Sequence, residues 1–256
     1  MDIFSDSAAQ LEQPLQLSRL EEPVVDFPTT GTVKSRLLPA GPWTHMLWNL
    51  SGAVVKEMLN LEFIKQLQQG TLSQQYYWAF QRQDVLYLRS FAQVLRTLSI
   101  QATSREDNLY WRKSSVEVEQ SYRQLHIDVT NNCASPALRG IATMPMSSVT
   151  KGYTDYLLEQ APKGYLMGVA AALPCGWLYC ELGWAMASYV HTHHPYHNWL
   201  TMYTGDEWDS STKQFICIVE QQFAMADPLK RAQAARVYLE SALWEKRFFQ
   251  QVLNLV

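Results

Sequence analysis

An all-α domain is the fold class this sequence predicts, and three observations predict it. Nothing along the 256 residues alternates with period two over a useful length, so no half-buried strand can be placed. Apolar residues recur instead at three- and four-residue steps in one segment after another. Serine, aspartate, proline and glycine stand where such segments would begin and end. With 47% hydrophobic residues the chain can bury a sizeable core, and it contains no internal repeat.

Residues 1 to 43 carry Pro14, Pro23, Pro28, Pro39 and Pro42 with little periodicity and read as an irregular arm; a helical domain is expected over residues 44 to 256. Its first helix runs from Thr44 to Gln69 through Met46, Leu50, Val54, Met58, Leu61 and Leu67, and stops at Gly70. Ser73 caps the next, in which Tyr77, Phe80, Asp84, Tyr87, Phe91, Val94 and Leu98 form a stripe. Ser104, with Asp107 three residues on, opens a helix to about His126, and a loop with Asn131, Asn132 and Pro136 follows. Ser147 or Ser148 caps a helix to about Gln160. Gly164 precedes a long, nearly uncharged helix in which Pro174 removes an amide donor and should produce a kink. After His194-Pro195 come a short helix over Trp199 to Tyr203 and a longer one from Ser211 to Ala226. Asp227-Pro228 then starts a last helix reaching nearly to Val256.

Composition excludes several classes. A net charge of −3, with 21 Lys and Arg spread evenly, leaves no basic patch for nucleic acid. The acidic start Met1-Asp2-Ile3-Phe4 lacks a secretory signal pattern, so a cytoplasmic location is expected. Leu166 to Val190 is long and apolar enough for a membrane span, but Pro174, Gly176 and Glu181 interrupt it and no basic cluster flanks it; a buried central helix is the expectation, with no membrane partner. Cys133, Cys175, Cys180 and Cys217 match neither a zinc pair nor a disulfide scaffold and are expected as free thiols.

Three side chains stand out chemically. Cys175 lies in Leu173-Pro174-Cys175-Gly176-Trp177-Leu178-Tyr179, one helical turn before Tyr179, so thiol and phenol share a face. A free cysteine is ordinarily a small core hydrophobe; here a tyrosine and two acids supply means for proton transfer. Asp84 sits inside an apolar stripe beside Tyr87 and Phe91, and a carboxylate there needs a partner. That partner is either an Arg or Lys from another helix, or a ligand with an N–H-bearing edge such as an aminopyrimidine. Glu240 shares a face with Val237, Trp244 and Phe248, where burial would raise its pKa into the range of a general acid. The histidines 191, 193, 194 and 197 match no metal-binding spacing, and Pro195 prevents one helix from carrying all four; no metal is expected.

Several motifs together resemble the TenA proteins, also called thiaminase II or aminopyrimidine aminohydrolase. They are Leu61-Glu62-Phe63-Ile64, Gln83-Asp84-Val85-Leu86-Tyr87-Leu88, Gly152-Tyr153-Thr154-Asp155-Tyr156, Ala171-Ala172-Leu173-Pro174-Cys175-Gly176-Trp177-Leu178-Tyr179 and Pro195-Tyr196-His197-Asn198-Trp199, with Glu240 four residues before Trp244. The resemblance covers about residues 44 to 250 and includes the cysteine of the cysteine-containing type. It implies a heme-oxygenase-like helical bundle, a homotetramer, no cofactor, and hydrolysis of thiamin or aminomethylpyrimidine to hydroxymethylpyrimidine in thiamin salvage. It further implies that Cys175 is the nucleophile, Glu240 the acid and base, and Asp84 the holder of the pyrimidine edge. Tyr87, Tyr153, Tyr179 and Tyr203 would stack on the ring or orient those groups. The long arm, and Gly176 where an aromatic is frequent, depart from that pattern. Two alternatives keep the fold: a non-catalytic pyrimidine-binding regulator, and a heme or metal oxidoreductase using His45 near the start of the first helix.

Overall fold

The computed structural model describes residues 35–189 and 191–256, so the expected arm lies outside the described residues up to position 34. Among these described residues nine α-helices follow in order: α1 Pro42–Leu59, α2 Glu62–Gln69, α3 Gln74–Gln101, α4 Arg105–Asn132, α5 Ser148–Gln160, α6 Tyr165–Met186, α7 His197–Met202, α8 Asp206–Met225 and α9 Pro228–Gln250. No strand occurs among the described residues.

Three of the start signals read from sequence do what their chemistry suggests, whereas Ser73 stands at the N-cap of α3 without a side-chain cap bond. Ser104 Oγ accepts from the Asp107 amide at 3.0 Å, Ser147 Oγ from the Thr150 amide at 3.0 Å, and Asp227 Oδ1 from the Lys230 amide at 2.9 Å. Each satisfies an amide that the first helical turn leaves unpaired.

The single helix expected from Thr44 to Gln69 is two. Asn60 ends α1, its side-chain amide turning back to donate to the Lys56 carbonyl at 2.8 Å, and Leu61 is extended before α2 begins. Asparagine competes with helical hydrogen bonding through just such local bonds. Gly70 then closes α2 at φ +71°, a left-handed conformation that glycine adopts freely. Further on, α4 runs to Asn132 rather than His126, so the asparagines expected in a loop are helical.

The central element is α6, against which α9, α8, α3 and α5 all pack. Most of its residues are buried, and the helix continues unbroken through Pro174. Although α6 is apolar and long enough to cross a membrane, 78% of its most apolar window is buried inside the bundle. The longest helix contact is that of α3 with α4, which fold back on each other across a three-residue link. On α4 only Asp107, Trp111, Ser115 and Val129 are buried, so its remaining surface is left for solvent and for a cavity.

Just before α1, residues 35–37 are pinned to α6. The Glu181 carboxylate accepts from Ser35 Oγ at 2.6 Å, from the Arg36 amide at 2.9 Å and from the Leu37 amide at 3.1 Å. Arg36 meanwhile spreads its guanidinium over Trp184, 3.4 Å from the ring centroid. Burial pushes the Glu181 carboxyl above its ordinary pKa, and these donors oppose that push.

Candidate active site

A cavity of about 810 Å³ opens between α3, α4 and α6 and is closed at one end by α7 and the segment leading to it. Asp84 and Tyr87 reach it from α3, Cys175 and Tyr179 from α6, and Tyr203 from the end of α7. The helical spacing that puts Asp84 one turn before Tyr87, and Cys175 one turn before Tyr179, aims both pairs into this space.

Asp84 is 7% exposed, and no Lys or Arg among the described residues pairs with it. Burial without compensation pushes its pKa up to about 7. The bland explanation of a buried aspartate, an ion pair with a basic side chain, is therefore absent here, and the carboxyl faces the cavity.

Cys175 is half-buried, and its accessible side lines the cavity. Burial holds its thiol well above the ordinary cysteine pKa; the charge of Glu245 adds to this, the Tyr87 hydroxyl opposes it, and Asp84 contributes last. Tyr87, whose buried hydroxyl has no hydrogen-bond partner among the described residues, lies near enough to Cys175 for each to influence the other's titration. Its ring is sandwiched at 5.5 Å from Phe91 and 5.1 Å from Tyr153. Tyr179 and Tyr203 meet at 5.1 Å, and burial raises both phenols far out of the neutral range, so they act here as neutral donors and surfaces. Gly183 makes room for Tyr203: a Cβ at that position would come within 2.7 Å of the Tyr203 Cβ.

The position expected for the second acid needs correction. Glu240 lies on an outer face of α9, its side chain 40% exposed and ion-paired to Arg247 at 2.9 Å. It does not line the cavity. The buried acid is Glu245, 1% exposed, whose carboxylate accepts from the Tyr153 hydroxyl at 2.6 Å. Burial pushes its pKa up to about 8; Tyr153 opposes the shift and the Asp84 charge adds to it. Glu245 sits behind the cavity wall, close enough for its charge to act on Cys175, Tyr87 and Tyr179.

Two signals in the sequence separate these glutamates. The buried face of α9 runs through Ala234, Tyr238, Ser241, Glu245 and Phe248, whereas Glu240 has Arg236 and Arg247 as helical neighbours on its own side. Glu240 still bears on the site at one remove: the Arg247 it holds lies 4.6 Å from the Trp244 centroid, and Trp244 is parallel to Tyr153 at 6.3 Å. Gly152 allows that stack, because a Cβ there would meet Trp244 at 2.6 Å.

The remaining candidates have other partners, although His194 and His197 also line the cavity. His194 bonds the Gln68 carbonyl at 3.2 Å and accepts from the Tyr196 amide at 3.1 Å, while His197 bonds the His191 carbonyl at 3.1 Å. These histidines brace the turn before α7, and no three His, Cys, Asp or Glu among the described residues gather as a metal site. His45 is buried in α1 and does not line the cavity. The four cysteines are free thiols; Cys180 donates to Asp209 at 3.2 Å.

Taken together, fold and site define a helical-bundle protein with an aromatic pocket that holds a thiol and a buried carboxyl with no basic partner among the described residues. The chain belongs to the TENA/THI-4/PQQC family, whose description matches residues 53–255, and its bundle is of the heme-oxygenase-like kind. It is 34% identical over 241 residues to the thiamine biosynthesis multifunctional protein ThiED of Corynebacterium efficiens, across 93% of this chain and 32% of that protein. It therefore spans about a third of the length of that relative. Against an aminopyrimidine aminohydrolase of Halalkalibacterium halodurans it is 25% identical over 203 residues, covering 76% and 88% of the two chains. The solved structure of a TenA homologue from Pyrococcus furiosus superposes with a TM-score of 0.74 at 15% identity, over 82% of this chain and 99% of that one.

Proposed function

We propose that this chain hydrolyses aminopyrimidines that carry a leaving group on an exocyclic methylene, converting aminomethylpyrimidine or thiamin to hydroxymethylpyrimidine. The observation that carries this reading is Asp84, a buried carboxyl with no basic partner among the described residues, facing the same cavity as Cys175. An aminopyrimidine edge presents an amino donor beside a ring-nitrogen acceptor. A carboxyl that is protonated half the time near pH 7 matches it with two hydrogen bonds, C=O to the amino group and O–H to the ring nitrogen. The rings of Tyr87, Tyr179 and Tyr203 give the flat heterocycle its walls.

Chemistry follows from the same residues. Cys175 gives its proton to ionised Glu245, and its sulfur adds to the ring carbon beside the one bearing the methylene. The ring electron pair moves to the nitrogen that takes the Asp84 proton. Electrons then return from that nitrogen to expel the leaving group: an amine departs with the proton held by Glu245, whereas thiazole leaves as the neutral ring with the bonding electron pair and Glu245 passes its proton to solvent. Water adds to the exocyclic carbon and gives up a proton to Glu245; the carbon–sulfur bond breaks, and Asp84 and Cys175 recover their protons. One difficult displacement thus becomes a series of easier steps.

Names borne by relatives support this reading: an aminopyrimidine aminohydrolase and a thiamine biosynthesis protein are both similar to this chain. The cavity is far larger than one pyrimidine, leaving room toward α4 for a substituent, and among the described residues no Lys or Arg lines it to repel a cationic one. The test is release of hydroxymethylpyrimidine from aminomethylpyrimidine by the purified chain. Wild type should turn over and Cys175→Ser should not. Equal turnover by both, or none by wild type with either substrate, would dismiss the reading.

A further inference from the structure

Ser241 is fully buried on α9, one turn before Glu245. Its hydroxyl donates to the Ala171 carbonyl at 2.6 Å, the carbonyl that closes the helical turn carrying Cys175. With that proton committed, the serine oxygen can only accept. The Tyr153 hydroxyl lies 3.5 Å from it and donates instead to Glu245 at 2.6 Å. Tyr153 is thus suspended between a near acceptor, the carboxylate, and a farther one, the serine.

This arrangement has two states. While Glu245 is ionised, Tyr153 donates to it. Once Glu245 is protonated it becomes a donor to the Tyr153 oxygen, and the phenolic proton needs somewhere else to go, since a buried unmet donor costs about 1–3 kcal/mol. We propose that Ser241 is a positioning residue that offers the Tyr153 hydroxyl a second acceptor whenever Glu245 carries a proton, so that the acid can take up and release a proton without stranding a buried hydroxyl. The link to Ala171 fixes the serine oxygen relative to the Cys175 turn, which keeps acid and thiol in register across the α6–α9 contact. As a statement about catalysis this rests on the function proposed above; as a statement about protonation it does not.

The experiment follows the protonated carboxyl C=O band by infrared difference spectroscopy across pH, with Glu245→Gln identifying the band. Ser241→Ala removes the acceptor used only by the protonated form, so the apparent pKa of Glu245 should fall by about half a unit to one unit, the equivalent of one hydrogen bond. The other groups facing Glu245 are unchanged in that variant: Asp84 and Tyr87 from α3, Tyr153 from α5, Cys175 and Tyr179 from α6, and Tyr203. In a Tyr153→Phe background Ser241→Ala should cause no shift. A titration unchanged by Ser241→Ala, or a shift of the same size in the Tyr153→Phe background, would overturn the proposal. If the alanine variant does not fold, Ser241→Cys, a weaker acceptor of similar volume, should show a smaller shift in the same direction, and no shift would count equally against it. No substrate is needed, so failure of wild type to hydrolyse aminopyrimidines would leave this outcome readable.

Discussion

The Tyr153 hydroxyl donates to the Glu245 carboxylate at 2.6 Å, in a contact where both partners are buried. That bond marks Glu245, and not Glu240, as the acid whose removal should stop turnover. Glu245→Gln is expected to lower kcat by about 10²–10⁴-fold, the usual contribution of a positioned acid or base. Glu240→Gln should leave kcat near wild type and cost at most about 1 kcal/mol, because its pair with Arg247 is about 40% exposed on both sides. Steady-state kinetics and thermal melts on the two variants decide between the acids.

Burial raises Asp84 from 3.8 to about 7 and Glu245 from 4.5 to about 8. Raised carboxyls bind protons more tightly in the folded state than in the unfolded one. Their contribution to stability is therefore intact below about pH 4 and is lost as pH climbs through 7 and 8. Asp84→Asn abolishes this titration at one site. It should abolish the proposed turnover, flatten the decline in Tm between pH 5 and pH 9, and raise Tm relative to wild type at the alkaline end, with an upper limit of about 4 kcal/mol in stability. A Tm profile parallel to wild type would contradict the burial argument.

Substrate walls depend on backbone spacing as well as on side chains. Gly183→Ala places a methyl 2.7 Å from the Tyr203 Cβ and 3.0 Å from its carbonyl oxygen, so the end of α7 must move. The expected outcome is a rise in KM for aminomethylpyrimidine of about tenfold, equivalent to about 1.4 kcal/mol of lost binding, with a smaller change in kcat. An unchanged KM would remove Tyr203 from the binding surface.

Residues ahead of α1 should matter for stability. Glu181→Ala leaves the Arg36 and Leu37 amides without their acceptor, while the Ser35 hydroxyl keeps the Leu37 carbonyl, and losing these charge-assisted bonds at once should cost about 3–5 kcal/mol. Denaturant melts measure this directly. A loss below 1 kcal/mol would mean that the segment is not held by the carboxylate.

How legible this was in the sequence depended on what each signal encodes. Caps at Ser104, Ser147 and Asp227 were legible because one side chain bonding one amide is local chemistry. The break at Asn60 was not, because the apolar pattern of α1 continues in phase through Leu61 and only the asparagine interrupts it. Asp84, Tyr87, Cys175 and Tyr179 all line one cavity; the pairing of Asp84 with Tyr87 and of Cys175 with Tyr179 is legible because residues one turn apart share a helix face. On α9 both candidate glutamates border apolar residues, and choosing between them required knowing that Ser241 and small alanines, rather than Val237 and Trp244, turn inward. The breadth of the cavity was invisible, as it depends on how α4 lies against α3.

That hairpin partner has a further consequence. Because α4 contributes only four buried residues yet lines one side of the cavity, substitutions along Val118, Leu125 and Asp128 can reshape that space while Asp84 on α3, Cys175 on α6 and Glu245 on α9 stay undisturbed. Under the proposed function, the breadth of the pocket and its thiol would thus be adjustable independently, because they reside on separate helices.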